Sequence, residues 1–316
     1  MSDQLRKAAI PRWRGASGRL EVWYATLSDP VTRAGLWVHC ETVAPTTGSP
    51  YGHGWVTWFP ADGPPCTARF GPQPVEPAAG PAWFAVAGAR MAAEELTGRA
   101  GPLAWDLSWT DSGAPLWTFP RPAWERELLP GAQVVLAPTA EFTGSLNTGD
   151  VAHRVNRWRG GVAHIYGHGN ARRWGWIHAD LGDGDVLEVV TAVSHKTGLR
   201  RLPPMAFVRF RVDGKDWPAS VLPALGMRTT LSLPHWQLAG QIGGRRVLIR
   251  VHQPTARCVS LGYTDPDGSA AVCTNTEQAD IHVEVDDRSW SMIGRGHAEV
   301  GLRGQDAPAI NERTSS

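Results

Sequence analysis

Short runs of aromatic and β-branched residues, cut at close intervals by glycine, proline and aspartate, govern what this chain can fold into. The amino-terminal part carries "EVWYATL", "AGLWVHCETV" and "GWVTWF". The carboxy-terminal half continues with "VAHRVNRW", "VAHIYG", "WGWIHADL", "VLEVVTAVSH", "AFVRFRVDG", "RTTLSLP", "HWQLAGQI", "RRVLIRVHQ", "CVSLGY", "AAVCTN" and "DIHVEVDD". "RGG", "GDGD", "DGKD", "GG" and "DPDG" separate many of them, and such residues reverse the chain in tight hairpins. Residues of this kind pack well on a pleated sheet, so the pattern predicts an all-β protein. So many strands would leave exposed edges unless the sheets close, which predicts antiparallel barrels or barrel-like sandwiches. The 316 residues exceed the needs of one small core. Two tandem β domains are therefore expected, over 1–135 and 136–303, with a linker and the entry to the second domain running from "RPAWERELLPGAQ" to "APTAEFTG" and a loose polar tail over 304–316. One short helix is expected in "AGARMAAEELTGR", closed by Gly98. "YGHG" occurs at Tyr51–Gly54 and again at Tyr166–Gly169, and "GLWVHCE" echoes "WGWIHAD", which hints at an internal repeat.

The charge balance excludes some partners. With 31 basic and 30 acidic side chains, the chain offers no electrostatic reason to bind nucleic acid or an anionic membrane. No stretch approaches the roughly twenty apolar residues of a membrane span, and the amino terminus lacks the apolar core of a signal peptide. A cytoplasmic location is expected. Cys40, Cys66, Cys258 and Cys273 form no C-x-x-C pair; Cys258 and Cys273 flank a turn, but free thiols are expected in a reducing compartment. Sixteen tryptophans are the outstanding compositional fact, and a side chain so large and flat lines cores and pockets alike.

The stretch "YGHGNARRWGWIHADLGDGD" bears most directly on function. Alternate residues of a strand share a face, so Trp174, Trp176, His178 and Asp180 point one way and Ile177, Ala179 and Leu181 the other. The more economical arrangement turns the indoles, the imidazole and the carboxyl inward, lining a barrel lumen with the mixed aromatic and polar groups of a ligand cavity, and packs Ile177 and Leu181 outward against other elements. The bland alternative is a solid barrel filled by the same tryptophans. "GHGN" is followed by strands and not by a helix amino terminus, so an anion loop is disfavoured. His164 and His168 lack a helical frame, three converging ligands are not shown, and "GDGD" lacks a full calcium pattern, so no metal is expected. No nucleophile elbow, phosphate loop or dinucleotide fingerprint is present.

"YGHGNARRWGWIHADL" followed by "VLEVVTAVSHKTGLRRLPPMAFVRF" resembles the tocopherol cyclase family, over about Tyr166 to Phe210. "EVWYATLSD" resembles the opening of the related carotenoid hydratase and AttH-like proteins. The resemblance implies paired lipocalin-like barrels, a hydrophobic prenyl, isoprenoid or polyketide-like ligand, no cofactor, and chemistry in which an alkene is protonated and then attacked by oxygen. His168, Asn170, Arg172 and Arg173 depart from the serines and lysine of the plant-type turn. A dry carboxyl is needed for the protonation, and Asp180 is the first candidate, with Glu21 second. His168 and His178 are candidates to accept the released proton. Trp174, Trp176, Trp23 and Tyr24 would stabilise positive charge, with Tyr166, Asn170, Arg172 and Arg173 as further binding candidates. An acid-assisted cyclase, isomerase or hydratase and a non-catalytic carrier of apolar molecules both fit the sequence, as does a third alternative, an interaction protein with solid barrels. Oligomeric state is not legible.

Overall fold

The computed structural model describes residues 3–110, 113–195, 203–219, 224 and 226–304. The loose tail and the "GLRRLP" turn fall almost entirely outside the described residues. Among the described residues two short α-helices, α1 (Asp3–Ala9) and α2 (Arg121–Glu125), accompany twenty-one strands. The first eleven are β1 (Arg19–Ser28), β2 (Gly35–Ala44), β3 (Tyr51–Phe59), β4 (Cys66–Pro74), β5 (Ala82–Val86), β6 (Ala89–Ala92), β7 (Glu95–Ala100), β8 (Leu103–Thr110), β9 (Leu116–Trp117), β10 (Gly131–Thr148) and β11 (Val151–Gly167). The next five are β12 (Arg173–Gly182), β13 (Asp185–Val193), β14 (Met205–Val212), β15 (Lys215–Trp217) and β16 (Arg228–Thr230). The last five are β17 (His235–Ile242), β18 (Arg245–His252), β19 (Val259–Thr264), β20 (Ala270–Val285) and β21 (Arg288–Arg303).

The strands form two antiparallel sheets. The first has the order β4-β3-β2-β1-β11-β10-β8-β7-β6-β5, with β9 beside β10; the second has β15-β14-β13-β12-β21-β20-β18-β17-β16, with β19 beside β20. Each sheet curls on itself. Phe70 of β4 meets Phe84 of β5 and Trp105 of β8 at ring distances of 6.2 and 6.0 Å, drawing the ends of the first sheet together. In the second, Thr191 of β13 donates to Thr229 of β16 at 3.4 Å, and the Arg245 guanidinium of β18 lies over Trp217 of β15. The protein is thus all-β, built from two lipocalin-like barrels. Residue 135 lies inside β10, and the chain passes from the first sheet to the second between Gly167 and Arg173. Among the described residues no helix is long and apolar enough to cross a membrane. All four cysteines are free.

Two expectations are corrected. "AGARMAAEELTGR" is a hairpin, β6 and β7, turned at Ala93 and Glu94, the latter with φ +63°. Its alanines and glutamates favour a helix, but fully buried Met91 and Leu96 pair across the hairpin, and cross-strand packing overrides local propensity. The second correction concerns β12. Ile177 and Ala179 enter the core of the second barrel beside Leu187 and Val189, while Trp176 turns outward into a cluster with Leu20, Val22, Tyr24 and Ala163 of the first barrel. The outer face of one barrel is covered by the other. Both faces of β12 are therefore apolar, and alternation in sequence cannot tell lumen from interface.

Candidate functional site

The contact between the barrels holds a cavity of about 340 Å3. β1 and β2 contribute Val22, Tyr24, Trp37 and His39; β12, β19 and β21 contribute Trp174, Trp176, Tyr263 and Glu299. Leu128, Leu129, Phe119, Met205 and Phe207 border it as an apolar margin. The cavity lies between the lumens and not within either of them. Its aromatic walls arise because β1, β2 and β12 each send every second residue toward the neighbouring barrel while the intervening residues fill their own.

Carboxylates orient the two indoles. The Trp174 N–H donates to Glu299 at 2.7 Å, and the Trp176 N–H donates to Glu188 at 2.6 Å. Glu188, fully buried, also bonds His178 Nδ1 at 2.9 Å and accepts from the Gln133 amide. Behind them Glu277 accepts from Thr26 of the first barrel and pairs with His297. On the opposite wall Glu41 binds His39 at 3.0 Å and His53 at 3.3 Å. Burial alone would raise the Glu41 carboxyl, but these two histidines outweigh it and hold the group down at about 2. Glu299 behaves oppositely. It borders the cavity, and burial raises its carboxyl above the ordinary value despite the bond from Trp174. It is the carboxyl in this cavity best suited to remain protonated.

The sequence candidates divide among three places. Trp174, Trp176, Tyr24 and Asn170 line the cavity, and His178 lies behind it, its ring pressed on Gly161 of the first barrel. Glu21, Trp23 and Tyr166 instead enter the first barrel. Glu21 binds His164 at 2.8 Å and accepts the Trp13 backbone N–H at 3.0 Å, and Trp23 stacks on His164 at 4.7 Å. Glu21 and Trp23 border a separate cavity of about 260 Å3. The remaining four lie outside both. Asp180 accepts the Gly182 N–H at 2.9 Å in the β12–β13 hairpin, where a bulge ends the regular alternation. Exposed His168 faces Arg19 at 3.0 Å, and neither Arg172 nor Arg173 borders the cavity. Among the described residues no group of three or more His, Cys, Asp or Glu is placed to hold a metal ion.

Glu299, Glu188, Trp37, His39, Glu41 and Tyr263 were not singled out in the sequence. One signal did point to three of them: "GLWVHCE", the echo of "WGWIHAD", places Trp37, His39 and Glu41 on one face of β2, and that face is the opposite wall.

Two curled antiparallel sheets packed around an aromatic cavity define a lipocalin-like double-barrel protein. Two solved structures share this fold. A putative AttH from Nitrosomonas europaea has a TM-score of 0.58 at 14% identity, covering 89% of this chain and 92% of its own. Kievitone hydratase from Nectria haematococca has a TM-score of 0.59 at 11% identity, covering 95% and 93%. The chain belongs to the tocopherol cyclase-like family, whose profile matches residues 17–302. The uncharacterized protein Rv0493c of Mycobacterium tuberculosis strain H37Rv is 77% identical over 314 residues, 99% of this chain and 95% of that protein. Its counterpart in strain CDC 1551 matches equally well.

Proposed function

We propose that the chain is an enzyme that binds a hydrophobic prenyl or related small molecule between its barrels and catalyses acid-assisted cyclisation or hydration, with Glu299 as the acid. The observation that supports this most is the position of Glu299: a carboxyl raised above its ordinary value by burial, bordering an apolar cavity, beside the indoles of Trp174 and Trp176. The family membership points the same way.

The step balances with the groups present. Glu299 transfers its proton to the less substituted carbon of a trisubstituted alkene, forming a C–H bond and leaving a tertiary cation. The aromatic faces stabilise that cation. A phenolic oxygen of the same substrate, or a water molecule, then forms the C–O bond. The proton lost from that oxygen passes to His39, whose imidazolium Glu41 stabilises, and returns to Glu299 as the cycle closes. Asp180, held in its hairpin, takes no part.

Incubating the full chain with a prenylated hydroquinone and following chromanol by mass spectrometry tests the reading. Product with the wild-type chain and none with Glu299→Gln is expected. Retained product in Glu299→Gln would remove the acid; tight binding with no conversion of any alkene would make the protein a carrier.

A further inference from the structure

The inter-barrel cavity presents aromatic faces and negative groups on the same walls. Trp174 and Trp176 both give their N–H to carboxylates, at 2.7 and 2.6 Å. A hydrogen bond of this kind polarises the donor, so each indole ring gains electron density and attracts cations more strongly. Tyr24 stands edge-on to Trp176 at 5.2 Å, and Trp37 and Tyr263 extend the aromatic lining. The described residues that border the cavity include no lysine or arginine. His39 and His195 border it too, and His39 is matched by Glu41 at 3.0 Å.

Glu188 and Glu277 each have a histidine partner, His178 and His297. Glu299 forms no direct ion pair with any described residue; its side chain meets the Trp174 indole and the Cys273 thiol, and the charge of His39 acts on it from a distance. The field at this wall is felt by Tyr24, whose phenol is raised well above its ordinary value by burial and then by Glu188, Glu299 and Glu277. No lysine or arginine among the described residues answers Glu299 at this wall, which suits it to a positive centre weakly hydrated enough to leave water.

We infer that this cavity takes an organic cation, an apolar ligand bearing a tertiary or quaternary ammonium centre, seated against Trp174 and Trp176 with Glu299, which releases its proton to water as the cation enters, as its counter-ion. The inference rests on the cavity being the ligand site of the proposed function, and not on any turnover there. A quaternary ammonium group fits better than a primary amine, because its methyl groups give up little hydration and touch the rings directly. It occupies the place that a tertiary carbocation would occupy during the proposed reaction.

The test compares two molecules of the same shape, benzyltrimethylammonium and neopentylbenzene, which differ at one atom and one charge. Equilibrium dialysis against the full chain gives both dissociation constants. The ammonium ion is expected to bind at least about tenfold more tightly, in keeping with a desolvated cation–aromatic contact beside a carboxylate. In Glu299→Gln, which keeps the shape and an acceptor for Trp174, the ratio is expected to fall to within about threefold. Trp174→Phe, which keeps an aromatic face but loses the indole N–H, is expected to reduce it as well. Neopentylbenzene binding as tightly as its charged counterpart in the wild-type chain would overturn the inference, and so would a ratio unchanged in Glu299→Gln. Lack of catalytic product bears on the proposed reaction alone, since both probes are inert.

Discussion

The indole N–H of Trp174 on β12 reaches the Glu299 carboxylate on β21 at 2.7 Å, diagonally across a ladder in which Trp174 itself pairs with Gly301. The diagonal is open only because residue 301 has no side chain. A Cβ at Gly301 would lie 1.9 Å from the Trp174 ring. Gly301→Ala is therefore expected to push the indole off its strand, costing about 1–3 kcal/mol in stability. Binding of a hydrophobic probe should weaken with it, measured by chemical denaturation and by dialysis.

Glu299 links this geometry to pH. Its carboxyl is raised in the folded chain, so the acid form persists above the usual range for glutamate. Turnover is expected to fall as pH rises through the raised value of Glu299 and the acid form is lost. A rate that instead grew steadily with pH across that range would exclude it as the proton donor. Glu299→Gln should remove turnover at every pH.

Asp180 provides a contrast. Its one described hydrogen bond goes to the Gly182 N–H, and it does not border the cavity. Asp180→Ala is expected to cost about 0.5–1.5 kcal/mol through loss of that turn contact. Turnover should be unchanged. A large loss of rate at unchanged stability would return Asp180 to the chemistry.

The seam between the barrels depends on a second close approach. Gly161 of the first barrel lies under His178 of the second, and a Cβ there would come within 2.7 Å of the imidazole. His178 is held from behind by Glu188 at 2.9 Å and cannot easily withdraw. Gly161→Ala is expected to strain the interface by about 1–3 kcal/mol. Loss of the ligand should accompany a lower melting temperature, with neither barrel core altered.

The barrels and the aromatic wall of β12 were legible because strand alternation and turn residues are local signals. "WGWIHAD" placed Trp174, Trp176 and His178 on one face, and they share it in the structure. What the sequence could not show was which barrel that face belonged to, because Ile177 and the tryptophans are both apolar and both are covered. Glu299 escaped notice for a related reason. It lies in "GHAEVGLR", among small residues with no motif, and acquires its role only when β21 pairs with β12 and brings it to the indoles. The helix expected around Met91 failed on a different ground, since the partner that decided it, Leu96, acts through pairing and not through propensity.

Two buried carboxyls outside the acid role make opposite contributions to stability, which gives a last prediction. Asp265, under the Asn170 turn, accepts that residue's backbone N–H at 2.9 Å and faces Arg303 at 2.6 Å, yet burial dominates and raises it to about 6 from 3.8. The folded chain therefore holds this proton more tightly than the unfolded chain. Its stabilising contribution is full below about pH 3.8 and is lost as pH rises through about 6, a change on the order of 3 kcal/mol. Glu41 has the reverse sign: lowered from 4.5 to about 2 by His39 and His53 against burial, it contributes above pH 4.5 and loses that contribution as pH falls toward about 2. Urea unfolding of Asp265→Asn across pH 4–6.5 is expected to show a more positive slope of stability against pH than the wild-type chain, because the proton-linked loss is gone. Glu41→Gln should be less stable than wild type near pH 7 by roughly 3 kcal/mol, with the deficit shrinking toward pH 2. Identical slopes for Asp265→Asn and wild type would mean that Arg303 and Asn170 fully offset the burial of Asp265.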